Sequence, residues 1–383
     1  MTRLLSLGVV VWAAGAMLGE GVAGAGAGLA AAGLLAEHRF RIVREHAIGL
    51  SLVAGWVAFA VLSTMWAARP LASGAPFSAV HVVFFGLAWI AAREADDRAK
   101  RAMVIAVAVL AALSGAFCIV QHYKELPYFE SVERWIPMHR IYEPAEGGGF
   151  KAGGLHFHRL KYAHTLVPMM LACVPLGWRL FARRGRALMI AAFTIGVAGM
   201  WFAYVSAAWI ALVIGGVLGL EMFTRWPRAA TLVAMGLAAP LFLAAIADVP
   251  VDRQIAWHTA LRLFSTHPFV GVGYGGYASA ALPAMGGVTD ARYPNIYFDA
   301  HSVLLQVLAE GGVVGAALFL ALGWRYGRLV RDGVGAAFTG VLAACVVLAG
   351  VHNVFYHPVV VSACALALAL SAQRNAPAGN ASR

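Results

Sequence analysis

The chain has 383 residues, of which 61% are hydrophobic and only 12% are charged, and its formal net charge is +11. A water-soluble domain carries about 25% charged residues, so this composition excludes an ordinary soluble globular protein. The mean hydropathy of +0.75 instead indicates a membrane protein. A single membrane span needs roughly 20 mostly apolar residues, so the length allows many spans.

The apolar segments predict an all-α, polytopic transmembrane bundle of about twelve spans, which forms one domain over residues 1–375 with a polar tail at 376–383. The segments lie at 4–19, 21–36, 47–66, 77–92, 102–120, 160–178, 187–203, 207–222, 229–247, 301–323, 335–351 and 355–371. The first two are short and rich in glycine and alanine, which makes them the weakest spans of the set. The segment before Glu20 is interpreted as an uncleaved span rather than a signal peptide, because it carries a single arginine and more spans follow.

The placement of basic residues predicts the orientation of this bundle. If the N-terminus is cytoplasmic, most of the 29 lysine and arginine residues lie at cytoplasmic ends of spans, as the positive-inside rule requires. Two long loops, 121–159 and 248–300, then face the periplasm. Most of the 13 histidines lie at this outer face, namely His122, His139, His156, His158, His164, His258, His267, His301, His352 and His357. They indicate either a cationic site for an anionic substrate or merely the polar composition of long loops.

The second loop contains a predicted short helix. Asp252 can cap a helix that runs to about residue 265, and His267-Pro268 ends it. The glycine-rich segment Gly271–Gly276 follows as a compact turn, without the spacing of a nucleotide-binding P-loop.

Four segments together resemble the lipopolysaccharide O-antigen ligase family, which also includes O-antigen polymerases. Residues 300–315 are similar to its His-Asn-x-x-Leu-x-x-x-x-Glu-x-Gly-x-x-Gly signature. The other three segments are 253–273, with an Arg-x-x-x-Trp and a His-Pro-x-x-Gly-x-Gly block, 154–163, and 352–358. Each motif alone is weak, whereas their order, spacing and shared membrane side are more specific.

The resemblance implies a GT-C-like glycosyltransferase that needs neither a metal nor another cofactor. Its partners would be a glycan donor linked to undecaprenyl diphosphate, a lipid A core oligosaccharide acceptor and membrane lipid, and not nucleic acid. The reaction would take place at the periplasmic face of the bacterial inner membrane. A polymerase that extends the same lipid-linked glycan is the alternative. A lipid or glycan transporter is less favoured, because charges are nearly absent from the predicted spans.

One departure from the family concerns an arginine that is thought to help bind the diphosphate. The family commonly has it in the span near residues 205–208, where this chain reads Tyr204-Val-Ser-Ala-Ala-Trp209. Arg159 and Lys161 are the candidates to replace it.

Arg253 is the first choice for binding the diphosphate and, with His301, for catalysis. Arginine stays charged and donates paired hydrogen bonds to phosphate oxygens. A cation in the first turn of a helix is locally unfavourable, so a bound anion would explain this one. A solvated or headgroup-facing arginine is the alternative interpretation. Weaker candidates for the same anion are Arg159, Lys161, Arg262 and Arg292.

His301 is the candidate that would act on the acceptor hydroxyl, because imidazole titrates near neutral pH. It would either remove the proton or only orient the hydroxyl, and a capping or packing role is the simpler alternative. The helix that follows favours the neutral imidazole, whereas Asp299 opposes this effect. The remaining predicted cleft residues each have a ring in the side chain, and they are Trp257, Tyr274, His156 and His158. We expect no metal at this site, and we expect Glu310 to be a packing contact rather than an acid.

Overall fold

The structure, a computed structural model, is almost entirely helical. It describes residues 3–45, 47–67, 83–124, 143–145, 148–156, 158–219, 251–285, 299–331, 336–352, 354 and 357–372. The predicted span at 229–247, much of the first outer loop and residues 286–298 of the second lie outside the described residues.

The described helices follow the predicted apolar segments along the chain. They are α1 (Arg3–Leu18), α2 (Glu20–Glu45), α3 (Ala47–Ser63), α4 (Val83–Glu94), α5 (Asp97–Tyr123), α6 (Arg159–Leu180), α7 (Arg183–Trp201), α8 (Ser206–Leu218), α9 (Val251–Thr266), α10 (Tyr277–Ala284), α11 (Val303–Arg331), α12 (Ala336–Val351) and α13 (Pro358–Ser371). The two strands, β1 (Glu143–Pro144) and β2 (Phe150–Lys151), form one short antiparallel pair. The predicted all-α class is therefore confirmed, apart from this pair.

Two of these helices are long and apolar enough to cross a membrane. They are Asp97–Tyr123, with 27 residues, and Val303–Trp324, with 22 residues. Seven shorter apolar stretches, for example in α1, α8 and α12, coincide with other predicted spans. The number of spans remains a prediction.

The first two predicted spans form a tight antiparallel hairpin. A Cβ atom at Gly8 would overlap the backbone of Ala30, and one at Gly15 would overlap the backbone of Ala23. The absence of side chains at these glycines therefore lets α1 and α2 pack backbone against backbone.

The centre of the bundle is α13. Its sequence is apolar on all sides, and its residues from Val359 to Ser371 are buried with the exception of Leu368. A helix that is apolar all round belongs in a core. It packs mainly against α6, α4, α1 and α12.

The long helix α11 is interrupted at Gly312, whose φ of 59° and ψ of −155° are not helical. The segment 268–273 packs into this interruption. Four hydrogen bonds replace the missing helical ones: Val272 N to Ala309 O at 2.9 Å, Gly273 N to Glu310 O at 2.9 Å, Val313 N to Pro268 O at 2.8 Å and Val314 N to Phe269 O at 3.0 Å. The interruption is thus stabilised by a neighbouring segment rather than left open.

Glu310 completes the same arrangement. Its side chain is buried, and its Oε1 accepts hydrogen bonds from the backbone N–H groups of Gly275 at 3.1 Å and Tyr277 at 3.3 Å. The expected packing role of Glu310 is therefore confirmed, because its carboxylate holds the segment that enters the helix break.

The helix ends that are predicted to face the periplasm meet at one end of the bundle. Lys161, at the start of α6, forms an ion pair with Glu20 at the α1–α2 turn. The backbone N–H of Ala152 donates to the carbonyl of Phe202 after α7. At the end of α5, Gln121 accepts hydrogen bonds from the backbone of residues 153 and 154. All of these residues belong to segments that the alternation of spans predicts to lie on one side.

Candidate functional site

Basic and imidazole side chains from several helix ends converge at that end of the bundle. We call them the cationic site, which consists of Arg159 and His164 of α6, Arg253 of α9, His301 before α11 and His352 after α12. His352 lies within electrostatic reach of the other four. The site therefore combines two guanidinium groups with three imidazoles from four separate parts of the chain.

Arg253 is held in the first turn of α9 beside Asp252, whose Oδ1 accepts the backbone N–H of Arg253 at 2.9 Å. Burial lowers the pKa of Arg253 from its ordinary value. The carboxylates of Asp252 and Asp299 act in the opposite direction, whereas the charge of Arg159 lowers the pKa further. A half-buried guanidinium whose pKa is lowered further by a second guanidinium would be stabilised by a nearby anion.

Arg159 reaches the break between α7 and α8. Its Nη1 donates to the carbonyl of Tyr204 at 2.9 Å and to that of Ala203 at 3.3 Å. Tyr204 has a positive φ of 53°, which turns the backbone at this point. This break overlaps the segment in which the family resemblance leads us to expect an arginine. Of the two replacement candidates, Arg159 is the one that binds there.

The other predicted basic residues do not join the cationic site. The Nζ of Lys161 lies 2.6 Å from the Oε1 of Glu20, which balances its charge. The exposed Arg262 lies on the face of α9 opposite to Arg253, and its Nη1 donates to the carbonyl of Ala284 at 2.8 Å. Arg292 lies outside the described residues.

His301 is fixed by its neighbours just before α11. It has a φ of 48°, and its backbone N–H donates to the Oδ1 of Asp299 at 2.7 Å. Its Nδ1 lies 3.3 Å from the same oxygen, and its side chain is 27% exposed. One residue earlier, the backbone N–H of Ala300 donates to the Oε1 of Gln306 at 2.7 Å. Because Asp299 lies at Nδ1, Nε2 is the ring nitrogen that is left for a substrate.

His164 and His352 form a ring pair within the cationic site, with centroids 4.6 Å apart and an interplanar angle of 52°. Both side chains are buried, and the Nε2 of His164 has no hydrogen-bond partner among the described residues. Burial lowers the pKa of His352 well below its ordinary value, and the nearby His164, Arg253, His301 and Arg159 lower it further. His352 is therefore neutral at neutral pH.

Sequence reasoning missed this histidine pair. The two residues are far apart in the chain, and no local motif joins them. The available signal was the excess of histidines at the predicted outer face, which included both residues without connecting them.

Two of the predicted cleft histidines have structural roles. His156 is buried, and its Nε2 lies 3.1 Å from the Oγ1 of Thr165. Burial and the charge of Lys161 lower the pKa of His156 to about 3. The Nδ1 of His158 caps α6 by accepting the backbone N–H of Leu160 at 3.2 Å. His156 is thus an enclosed residue rather than a cleft residue, because it anchors the loop to α6.

The two predicted cleft aromatics also differ from each other. Tyr274 is buried, with its ring 5.4 Å from that of Trp56 and 5.9 Å from that of Phe59. This core position corrects the expected cleft position, because the glycine-rich turn folds inward. Trp257 is half-buried on α9, and its Nε1 has no hydrogen-bond partner within the described part of the chain. Its cleft role remains a prediction.

The described side chains include no group of three or more His, Cys, Asp or Glu residues arranged to hold a metal ion. In comparisons with known proteins, no protein family and no curated protein matches the chain. The functional conclusion therefore depends on the geometry of the site and on the four short motifs.

Proposed function

We propose that this chain is a polytopic membrane glycosyltransferase of the O-antigen ligase type. It moves a glycan from undecaprenyl diphosphate to lipid A core oligosaccharide at the periplasmic face of the bacterial inner membrane. The observation that carries this proposal is the convergence of Arg253 and Arg159 with the Asp299–His301 pair at one end of a helical bundle.

The reaction needs little more than these groups. A glycosyl diphosphate already contains its leaving group, so the protein must offset the negative charge and position the acceptor. Arg253 and Arg159 supply positive charge at the place where negative charge accumulates on the leaving diphosphate. The Nε2 of His301 accepts the proton of the acceptor hydroxyl while the hydroxyl oxygen attacks the anomeric carbon. The bond from that carbon to the diphosphate oxygen breaks, and lipid diphosphate leaves with the electron pair.

The position of the charges supports a transferase over a transporter. Transporters commonly place ionisable groups near the middle of the membrane. Here the cationic site gathers at helix ends, next to the segments predicted to be periplasmic. The buried acid Glu310 of α11 binds backbone N–H groups, which gives it a structural function.

The test is transfer by the purified full chain in lipid nanodiscs, with a lipid-linked glycan as donor and lipid A core as acceptor. Arg253→Ala is expected to abolish transfer. His301→Asn, which tolerates the positive φ, is expected to lower the rate by about a hundred- to ten-thousand-fold, the usual contribution of a general base. The matched control is Arg262→Ala on the same helix, which should retain activity because Arg262 is exposed and lies on the opposite face.

Each outcome separates the candidate functions. Wild-type transfer rates in a well-folded Arg253→Ala variant would contradict the proposal. Extension of the donor glycan without any acceptor would assign the polymerase reaction instead. Transfer should continue in the presence of a chelator, since we assign no step to a metal.

A further inference from the structure

We propose that the ring of Tyr204 stacks on the sugar that is attached to the diphosphate of the donor. The inference rests on the proposed function, because it concerns the sugar of the same lipid-linked donor. It assigns a substrate contact to a residue that has no part in the reaction described above.

The backbone of Tyr204 has a conformation that side chains rarely adopt. Among the described residues, Tyr204 and His301 are the two residues other than glycine that have a positive φ, at 53° and 48°. A Cβ atom makes this left-handed region unfavourable, and glycine or asparagine fits there with less strain. Strained residues cluster at binding and catalytic sites. His301 belongs to the cationic site, so the second strained residue is the place to look for a further contact.

Tyr204 adjoins the cationic site through Arg159. Its carbonyl accepts a hydrogen bond from the Nη1 of Arg159 at 2.9 Å, in the break between α7 and α8. In a glycosyl diphosphate the first sugar is bonded directly to a phosphate oxygen. A diphosphate that binds Arg159 therefore brings this sugar next to residue 204.

Tyr204 is also part of a group of rings, which we call the aromatic cluster and which consists of His122, Tyr123, Phe202 and Tyr204. The ring of His122 lies 4.5 Å from that of Phe202 and 6.1 Å from that of Tyr204, and Tyr123 lies 5.8 Å from Phe202. The Nδ1 of His122 lies 2.8 Å from the carbonyl oxygen of Phe150 on β2. His122 is buried, whereas Tyr204 is 40% exposed. The cluster thus has a fixed interior and an exposed aromatic surface.

An exposed ring that its neighbours hold in place suits a sugar. A pyranose ring presents C–H groups on a face, and these groups gain free energy by leaving water against an aromatic ring. A ring that is already held in place loses little conformational entropy on binding. An aromatic residue that only anchors a protein at the membrane interface would need neither a positive φ nor a guanidinium at its own carbonyl. The observations therefore favour a sugar over the membrane interface as the partner of Tyr204.

The experiment is calorimetric titration of the full chain in nanodiscs with two short-chain isoprenyl diphosphate diesters. The sugar probe carries one pyranose, and the methyl probe carries a methyl group in its place. Both probes have the same charge, so only the sugar distinguishes them. The wild type should bind the sugar probe about three- to tenfold more tightly than the methyl probe, which is the usual size of an aromatic stacking contact.

Variants identify the ring that contacts the sugar. Tyr204→Asn tolerates the positive φ and keeps the carbonyl that binds Arg159, so it should bind the methyl probe as the wild type does and lose the preference for the sugar probe. Tyr204→Phe retains the ring and should retain the preference. The control, Trp201→Ala, changes an exposed aromatic residue of α7 whose ring lies 6.0 Å from that of Trp209, and it should behave as the wild type.

The possible failures can be told apart. Equal affinities of the wild type for both probes would overturn the inference and leave the proposed function intact, and this comparison needs no variant. An unchanged preference in a folded Tyr204→Asn variant would also overturn it. Loss of the preference in Tyr204→Phe would show that the hydroxyl group, rather than stacking, binds the sugar. Loss of the preference in Trp201→Ala would show a general effect of interfacial aromatics, which likewise overturns the inference. No binding of either probe to the wild type would overturn the proposed function itself.

Discussion

Replacement of Glu310 by alanine tests whether its carboxylate holds the segment that enters α11. The variant leaves the backbone N–H groups of Gly275 and Tyr277 without their acceptor in a buried place. A buried donor without a partner costs about 1–3 kcal/mol. The contact to Tyr277 is long, at 3.3 Å, so the two losses together amount to about 2–5 kcal/mol in the free energy of unfolding.

The opposing effect is smaller. Removal of a buried acid also removes the cost of burying it, but this gain does not restore partners to the two N–H groups. Glu310→Gln is the matched control, because its amide keeps an oxygen in the same place and should cost about 1 kcal/mol or less.

The assay is thermal unfolding of the purified variants in detergent at several scan rates. Glu310→Ala should unfold several degrees below the wild type, and Glu310→Gln should unfold close to it. An unchanged midpoint for Glu310→Ala would refute the reasoning. Equal losses in both variants would show that the charge, rather than the acceptor oxygen, holds the segment.

Further variants test the packing and the two basic residues at the start of α6. Gly271→Ala should destabilise the protein, since Gly271 has a φ of +64° and a Cβ there would overlap the backbone of Glu310. Its control, Gly323→Ala, has open space in helix α11 and should be neutral or slightly stabilising in the same unfolding assay. Lys161→Ala removes a partly exposed ion pair and should cost less than about 1 kcal/mol, so a large loss of stability would contradict that view. Arg159→Ala should weaken binding of a short-chain isoprenyl diphosphate sugar about tenfold or more without preventing insertion into the membrane. An unchanged affinity in calorimetry would show that Arg159 does not belong to the cationic site.

The regular part of the fold was predictable because it depends on local composition. The segments 160–178 and 355–371 are apolar over a helical length, and the structure has α6 and α13 at these places. The expected helix at Asp252 was also found as α9, which ends one residue beyond the predicted end. It begins at Val251, so Asp252 lies in its first turn instead of capping it. These features need no knowledge of what each helix packs against.

The break in α11 was not predictable in the same way. Gly311 and Gly315 of α11 lie close to Tyr274 and Phe59, because a Cβ atom added at either glycine would come within 3.4 Å of both side chains. The actual interruption is at Gly312, because the backbone on either side of it pairs with a segment that lies about forty residues earlier. Single-sequence patterns do not encode such a partner.

The site was partly predictable for a related reason. Arg253 and His301 each lie in a local motif, and the structure brings both within electrostatic reach of His352. Arg262 and Lys161 were grouped with them because of their charge and predicted membrane side. The side of the membrane on which a residue lies does not determine where its side chain points. The side chains of Arg262 and Lys161 do not join the cationic site.

The interruption of α11 also affects how this helix behaves when it is alone. A synthetic peptide of residues 303–324 in lipid would lack the segment 268–273, whose N–H groups donate to the carbonyls of Ala309 and Glu310 in the protein. Those groups cannot remain unpaired in hydrocarbon, so the peptide should close into an uninterrupted helix. On this view the interruption of α11 forms only when the helix packs against the segment 268–273. Oriented circular dichroism or solid-state NMR of the peptide would detect the uninterrupted helix.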